Sequence, residues 1–195
     1  MADTRTAARK QDIFAATRAL LVELGGQGLT MRKVADRTGI SLGNLQYHYS
    51  NREVLLQALL NSFLAEYEAG MAEIGARPSG NLEGDLKKLL LAIFSDPGIE
   101  ACGVIFKELW AEAQHHPEMK EAMAAYYKRL SSHYADLFSE LAGVPSRAPE
   151  VGRAVSVIVP LLEGYCITGN VSKTSDSKLA KDWARMISSV LSDKV

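Results

Sequence analysis

Asn44, Gln46, Tyr47 and His48 crowd one short stretch of the chain, with Gly43 just before them. The chemistry these residue types suit is recognition, not bond-making. Asn and Gln amides carry a donor and an acceptor side by side, the pair that reads adenine or another base edge in the major groove of DNA. Tyr47 and His48 can hydrogen-bond phosphate oxygens, contacts that position a protein on a duplex. Gly43 permits close approach of backbone to a ligand. As material for a purely structural helix the run is poor, because Gly and Asn have low helix propensity. Thr30, Arg32 and Arg52 flank it, near helix starts whose free N–H groups and cationic side chains favour phosphate.

Other chemistries fit less well. Glu112-Ala113-Gln114-His115 has the Glu-x-x-His spacing that supplies ligands in carboxylate-bridged metal bundles. Such bundles need a second copy, and His133 has Leu130 three residues before it. His115 and His116, ahead of Pro117, read better as cations compensating a helix C-terminus. No nucleophile triad, phosphate loop or dinucleotide fingerprint occurs. Cys102 and Cys166 stand apart without zinc spacing and read as packed thiols. The expectation is a non-enzyme with no catalytic residue, no metal and no cofactor. A helical ligand-binding protein or metal-dependent enzyme is the competing class.

Charge is distributed unevenly. The net charge of the 195 residues is −1, which alone argues against nucleic acid. Residues 1–55, however, hold eight basic and five acidic side chains (+3), and the remainder holds 14 and 18 (−4). A basic head on an acidic body suits DNA contact through the head. The N-terminus lacks the apolar core of a signal peptide. The longest apolar run, Val157 to Leu162, is far short of the ~20 residues of a spanning helix. A soluble, cytoplasmic protein with no membrane partner is expected.

The elements that must position these residues all read as helices. Ile13, Ala16, Leu20 and Leu24 share a face of a first helix, about 6–24, which Gly25-Gly26 ends. Thr30 is placed to cap a second helix over 31–38, and Ser41 a third over about 42–48. Gly39-Ile40-Ser41 between them gives the spacing of a helix-turn-helix. Ser50-Asn51-Arg52-Glu53 reads as a capping box opening a long fourth helix, about 52–75, that connects two domains. A link at Ala76 to Gly80 precedes five more helices, near 82–95, 101–115, 117–141, 149–167 and 176–191. A turn at Asp96-Pro97-Gly98 and a polar loop from Thr168 to Ser175 separate some of them.

The runs Leu29-Thr30-Met31-Arg32-Lys33-Val34-Ala35, Gly39-Ile40-Ser41-Leu42-Gly43-Asn44-Leu45-Gln46-Tyr47-His48-Tyr49 and Arg52-Glu53-Val54-Leu55-Leu56 resemble the tetracycline-repressor (TetR) family over about residues 9–60, roughly a quarter of the chain. The chain departs from the family pattern at Gln46, where Tyr is usual, at Arg52, often Lys, and at Leu42, often polar. Arg52 keeps the charge for a phosphate contact, and Leu42 can meet a thymine methyl. The resemblance implies an all-α protein of about nine helices. Residues 1–52 would form the three-helix DNA-binding domain and residues 53–195 a helical ligand-binding and dimerisation domain. It implies a regulator, by family habit a repressor, binding a palindromic double-stranded DNA operator as a homodimer and answering to a small-molecule effector. A dimeric regulator that needs no effector stays open.

The C-terminal body supports dimerisation independently. The eighth helix is apolar nearly all round, so two sides of it need cover. One stripe, Val151, Val155, Ile158 and Leu162, with Trp183, Ile187 and Val190 of the ninth helix, is the expected dimer face. Pro160 should kink the eighth helix. Phe94, Phe106, Trp110, Tyr126, Tyr127, His133 and Tyr165 are the candidate pocket residues, though aromatic residues at helical spacing are as readily core.

Overall fold

The computed structural model describes residues 2–74, 78–96, 99–168 and 174–193. The expected link at 76–80, the turn at 96–98, the loop at 168–175 and the end of the fourth helix at residue 75 lie wholly or partly outside them. The described residues form nine α-helices and no strand: α1 (Ala2–Gly28), α2 (Met31–Thr38), α3 (Leu42–His48), α4 (Arg52–Ile74), α5 (Leu82–Phe94), α6 (Ile99–Ala113), α7 (Pro117–Ala142), α8 (Pro149–Thr168) and α9 (Asp176–Ser192). By packing, the chain divides into two compact units, Met1–Phe63 with Val104–Tyr126, and Leu64–Gly103 with Tyr127–Val195. The first unit is larger than the 1–52 domain expected from sequence. It takes in the first half of α4, most of α6 and the start of α7.

In the first unit, α1 leaves its regular path at Gly25, whose φ of 67° and ψ of 178° suit glycine alone. Ile13, Phe14, Ala16, Leu20 and Leu21 are buried, whereas Leu24, expected on this face, is 45% exposed. Leu21 completes the inner stripe ahead of the break. The Thr30 side chain accepts from Lys33 N and caps α2, and Gly39 closes α2 in the left-handed region at φ 70°. Ser41 accepts from Asn44 N and caps α3. The cap of α4 is Asn51, not Ser50: its Oδ1 accepts from Val54 N at 2.8 Å. Both residue types cap well, and the register is fixed by the helix starting at Arg52. Leu45 of α3 and Leu55, Leu56, Leu59 and Leu60 of α4 have essentially no exposure. Tyr49 tilts its ring on Phe14, centroids 5.8 Å apart.

In the second unit, α9 packs along α5 and α8. Asn81 caps α5, and the buried Asp85 accepts from the Ser79 N–H at 2.7 Å, fixing the entry to that helix. The Val151, Ala154, Val155, Ile158 and Leu162 stripe of α8 is buried within the unit, as are Ala180, Ala184, Ile187 and Leu191 of α9. Helix α8 runs through Pro160 without interruption. Gly103 of α6 lies so close to α8 that a Cβ there would stand 2.0 Å from the Cys166 carbonyl oxygen. Among the described residues, α8 is the one helix long and apolar enough to cross a membrane, which its short unbroken apolar run did not suggest. Its inner stripe is covered by protein.

Candidate nucleic-acid interface

Helix α3 is built from its buried side outward. Leu45 is fully buried, and its backbone carbonyl accepts from the Tyr49 N–H at 2.8 Å. With that side anchored, Gly43, Asn44, Gln46 and Tyr47 face outward; Tyr47 is 86% exposed. Leu42 and His48 are half-buried at the margins, and the His48 ring meets Tyr47 edge-on at 5.5 Å. A Cβ on Gly43 would meet nothing within 4 Å. Packing inside the protein therefore does not require glycine at this helical position. Thr30 and Arg32 are exposed beside α3, as are Lys33, Ser41, Ser50 and Asn51.

Arg52, expected to contact phosphate, directs its guanidinium mostly into the protein. A guanidinium has five N–H donors, and four of these are directed inward. Nε donates to Leu29 O at 3.2 Å and Nη2 to Gly26 O at 2.6 Å. Nη1 and Nη2 donate to the two carboxylate oxygens of Glu112 at 2.8 and 2.9 Å. The pair is mostly shielded, with 19% and 16% of the two side chains exposed. The Arg52 guanidinium holds the Glu112 carboxyl below its ordinary range, against the opposing effect of burial. Glu108 completes the arrangement by accepting from the Gly26 N–H at 2.6 Å. Glu112 of the Glu-x-x-His spacing is thus engaged by Arg52, with His116 Nε2 at 3.6 Å. Among the described residues no cluster of three or more His, Cys, Asp or Glu side chains is placed to hold a metal.

The expected pocket residues fall into both units. Phe106, Trp110 and Tyr126 belong to the first, where Phe106 packs on Tyr126 at 5.1 Å and on Phe63 at 5.6 Å as core. Trp110 is 41% exposed. Phe94, Tyr127, His133 and Tyr165 belong to the second. Phe94 stacks on Tyr165 at 4.2 Å and meets Trp183 edge-on at 5.3 Å.

Beside the expected pocket residues Tyr127 and His133, the second unit gathers four further polar groups, Tyr67, Tyr134, Glu163 and Cys166, the last read from sequence as a packed thiol. The Tyr67 and Tyr134 hydroxyls hydrogen-bond to each other, and the His133 ring lies edge-on to Tyr67 at 5.9 Å. His133 Nε2 is buried with no hydrogen-bond partner among the described residues. Burial raises the pKa of the Glu163 carboxyl, partly offset by a hydrogen bond from Tyr127. Burial also raises Tyr67 and pushes the Cys166 thiol up to about 12, with Glu163 adding to the latter. No sequence spacing joins these groups into one cluster, because its members lie on three helices, α4, α7 and α8.

The residues of the expected dimer face lie mostly inside the second unit. Val151, Val155, Ile158, Leu162 and Ile187 are 9% exposed or less within a single chain, so their own chain already covers them. Trp183 and Val190 are half-buried, Trp183 against Phe94 and Tyr165. The open side of α8 carries Gly152, Ser156, Pro160 and Gly164, flanked by the half-buried Val157, Val159 and Leu161, and Met186 of α9 is 39% exposed.

Comparison with known proteins adds to this geometry. Residues 13–59 match the family described as "Bacterial regulatory proteins, tetR family", and residues 83–187 match "BetI-type transcriptional repressor, C-terminal". An uncharacterized HTH-type transcriptional regulator in the dhlA 5' region of Xanthobacter autotrophicus is 30% identical over 163 residues, 83% of this chain and 79% of that protein. The HTH-type transcriptional regulator BetI of Burkholderia thailandensis is 26% identical over 92% of this chain and 93% of that protein. A crystal structure of a TetR-family regulator from Rhodococcus sp. superposes with a TM-score of 0.77 at 24% identity, covering 95% of this chain and all of the other.

Proposed function

Because the chain belongs to the tetR family of bacterial regulatory proteins, and is a helix-turn-helix transcriptional regulator and not an enzyme, we propose that it represses transcription by laying α3 in the major groove of a palindromic operator. The outer face of α3 carries this reading. It is polar, exposed and open at Gly43, yet anchored from behind by a fully buried Leu45. Asn44 and Gln46 read base edges, and Leu42 meets a thymine methyl. Thr30, Arg32, Tyr47 and His48 grip phosphates. Residues 1–52 hold the whole reading surface, so the functional boundary falls there even though the packing boundary does not.

Two copies assemble through the open face of α8 with the exposed side of α9, which sets two α3 helices about one helical turn, ~34 Å, apart or a small multiple of it. The chain works in the cytoplasm, where its DNA is. A small-molecule effector binds in the second unit at the cluster of Tyr67, Tyr127, His133, Tyr134 and Glu163. The buried, unpartnered Nε2 of His133 supports that placement, since buried polar atoms ordinarily have partners.

Selection from a randomised duplex pool, followed by fluorescence anisotropy on the enriched duplex, tests the reading. A two-fold symmetric sequence should be enriched. Asn44→Ala should then lose discrimination against single-base variants by about 1–3 kcal/mol per position read. Recovery of no sequence above background would sink the proposal.

A further inference from the structure

We propose that Glu108 and Glu112 of α6 are positioning residues for DNA recognition: they hold both ends of the helix-turn-helix at one place, with Arg52 as the tie between those ends. The chain enters the motif through residues 26–29, ahead of α2, and leaves it at Arg52, the first residue of α4. The entry is held by Glu108, whose carboxylate accepts from the Gly26 N–H at 2.6 Å. The exit is held by Glu112, which takes the Arg52 guanidinium bidentately at 2.8 and 2.9 Å. The same guanidinium reaches back to the carbonyls of Gly26 and Leu29, joining exit to entry. Every link has a charged partner and lies in a shielded place, the geometry in which such bonds are strongest and most directional.

The local sequence is shaped for this contact. Gly26 is buried, and a Cβ on it would stand 3.0 Å from a carboxylate oxygen of both Glu108 and Glu112. Glycine there leaves room for both carboxylates, and that of Glu108 reaches the backbone N–H. Gly25 supplies the left-handed φ that turns the chain into place. Helices α2 and α3 lie between the two held ends, so the direction in which α3 presents Asn44, Gln46 and Tyr47 is set from α6. Arg52 acts through these bonds and not by touching phosphate.

The inference rests on the DNA-binding reading above, and it makes a prediction of unusual sign. Acidic side chains in a DNA-binding head oppose the phosphates, so removing one for charge reasons alone tightens binding. Removing Glu112 is expected to weaken it instead. The full chain is compared with Glu112→Ala, Glu112→Gln, Arg52→Ala, the double variant, and Glu121→Ala as an exposed acidic control in the same unit. Anisotropy is read on the selected duplex and on an unrelated duplex across a salt series, at a temperature where melting curves show each variant folded. Glu112→Gln keeps the side-chain shape and serves if Glu112→Ala fails to fold.

Glu112→Ala should bind about 10- to 100-fold more weakly, the range for losing a shielded charge-assisted pair. Glu112→Gln should fall between it and wild type, and Glu121→Ala should bind as well as wild type or tighter. The salt slope should stay unchanged throughout, and the double variant should be no worse than Arg52→Ala, because both changes cut one tie. The inference is overturned if Glu112→Ala and Glu112→Gln bind as tightly as wild type or more so. It is equally overturned if Arg52→Ala lowers the salt slope by about one ion, the mark of a lost phosphate contact. Failure of the wild-type chain to bind any duplex is a separate result, which removes the DNA-binding reading and this inference with it.

Discussion

The outer face of α3 and the C-terminal half of α6 are both polar surfaces of the first unit, and they differ in how far their polar groups are already satisfied. On α3, Tyr47 is 86% exposed and Gly43 has nothing within 4 Å of where a Cβ would be. On α6, Glu108 and Glu112 are held by backbone and guanidinium donors at 2.6 to 2.9 Å. Two glycines mark the same contrast: Gly26 is crowded by neighbours inside the protein, whereas Gly43 is not. A polar group whose partners are inside the molecule sets geometry. One whose partners are absent from the chain is available to a ligand.

The comparison can be broken most severely from behind α3. Leu45→Ala removes its fully buried anchor and should cost about 2–5 kcal/mol in urea unfolding, with DNA binding lost alongside. Tyr47→Ala on the opposite face should leave the urea midpoint nearly unchanged while weakening DNA binding. Glu112→Ala comes next, with an expected loss of about 1.5–3 kcal/mol in the same measurement. That difference from wild type should depend on pH in one direction. Arg52 depresses the Glu112 carboxyl below its ordinary value of 4.5, so the stabilisation is complete above that value and is lost as pH falls through the lower folded value. Unfolding curves of wild type and variant should therefore keep a constant gap from neutral pH to about 5 and converge below 4.5.

Gly43→Ala sharpens the comparison by its sign. With open space around it, alanine should stabilise α3 by up to about 0.5–1 kcal/mol, yet weaken DNA binding by holding the backbone off the duplex. Greater stability with unchanged DNA affinity would remove the reason offered for glycine there. The smallest effect is expected at the exposed pair of Arg37 and Glu23, bidentate at 2.6 and 2.7 Å but open to water. Glu23→Gln should leave both the melting temperature and DNA affinity where they were, as exposed ion pairs ordinarily do.

Much of α3 was legible because its signals are local. A Ser cap, a preceding Gly turn and a run of amides and rings within seven residues need no distant partner to be understood. The all-helical fold was legible for the same reason. The pairing of Arg52 with Glu112, 60 residues away, was not legible, because nothing in the local run distinguishes a guanidinium facing phosphate from one facing a carboxylate. The cap of α4 slipped by one residue because Ser50 and Asn51 cap equally well. The burial of the Val151, Val155, Ile158 and Leu162 stripe was not legible because a helix apolar all round does not reveal which stripe its own chain covers. The joining of Tyr67 and Glu163 to the aromatic residues of α7 escaped notice because isolated residues on three helices leave no spacing to read.

The tie from Arg52 to the Gly26 carbonyl spans 26 residues and closes the chain between them into a loop. A closed loop has already lost the freedom of its ends, so its interior has fewer ways to come apart piecemeal. Helices α2 and α3 should therefore open as one cooperative unit, and their amides should exchange with solvent at one shared free energy. With Glu112 removed the loop is held at one end less firmly, and the exchange of α3 should separate from that of α2. The turn at Gly39 would then act as a joint within the motif, where in the intact chain it is only a bend.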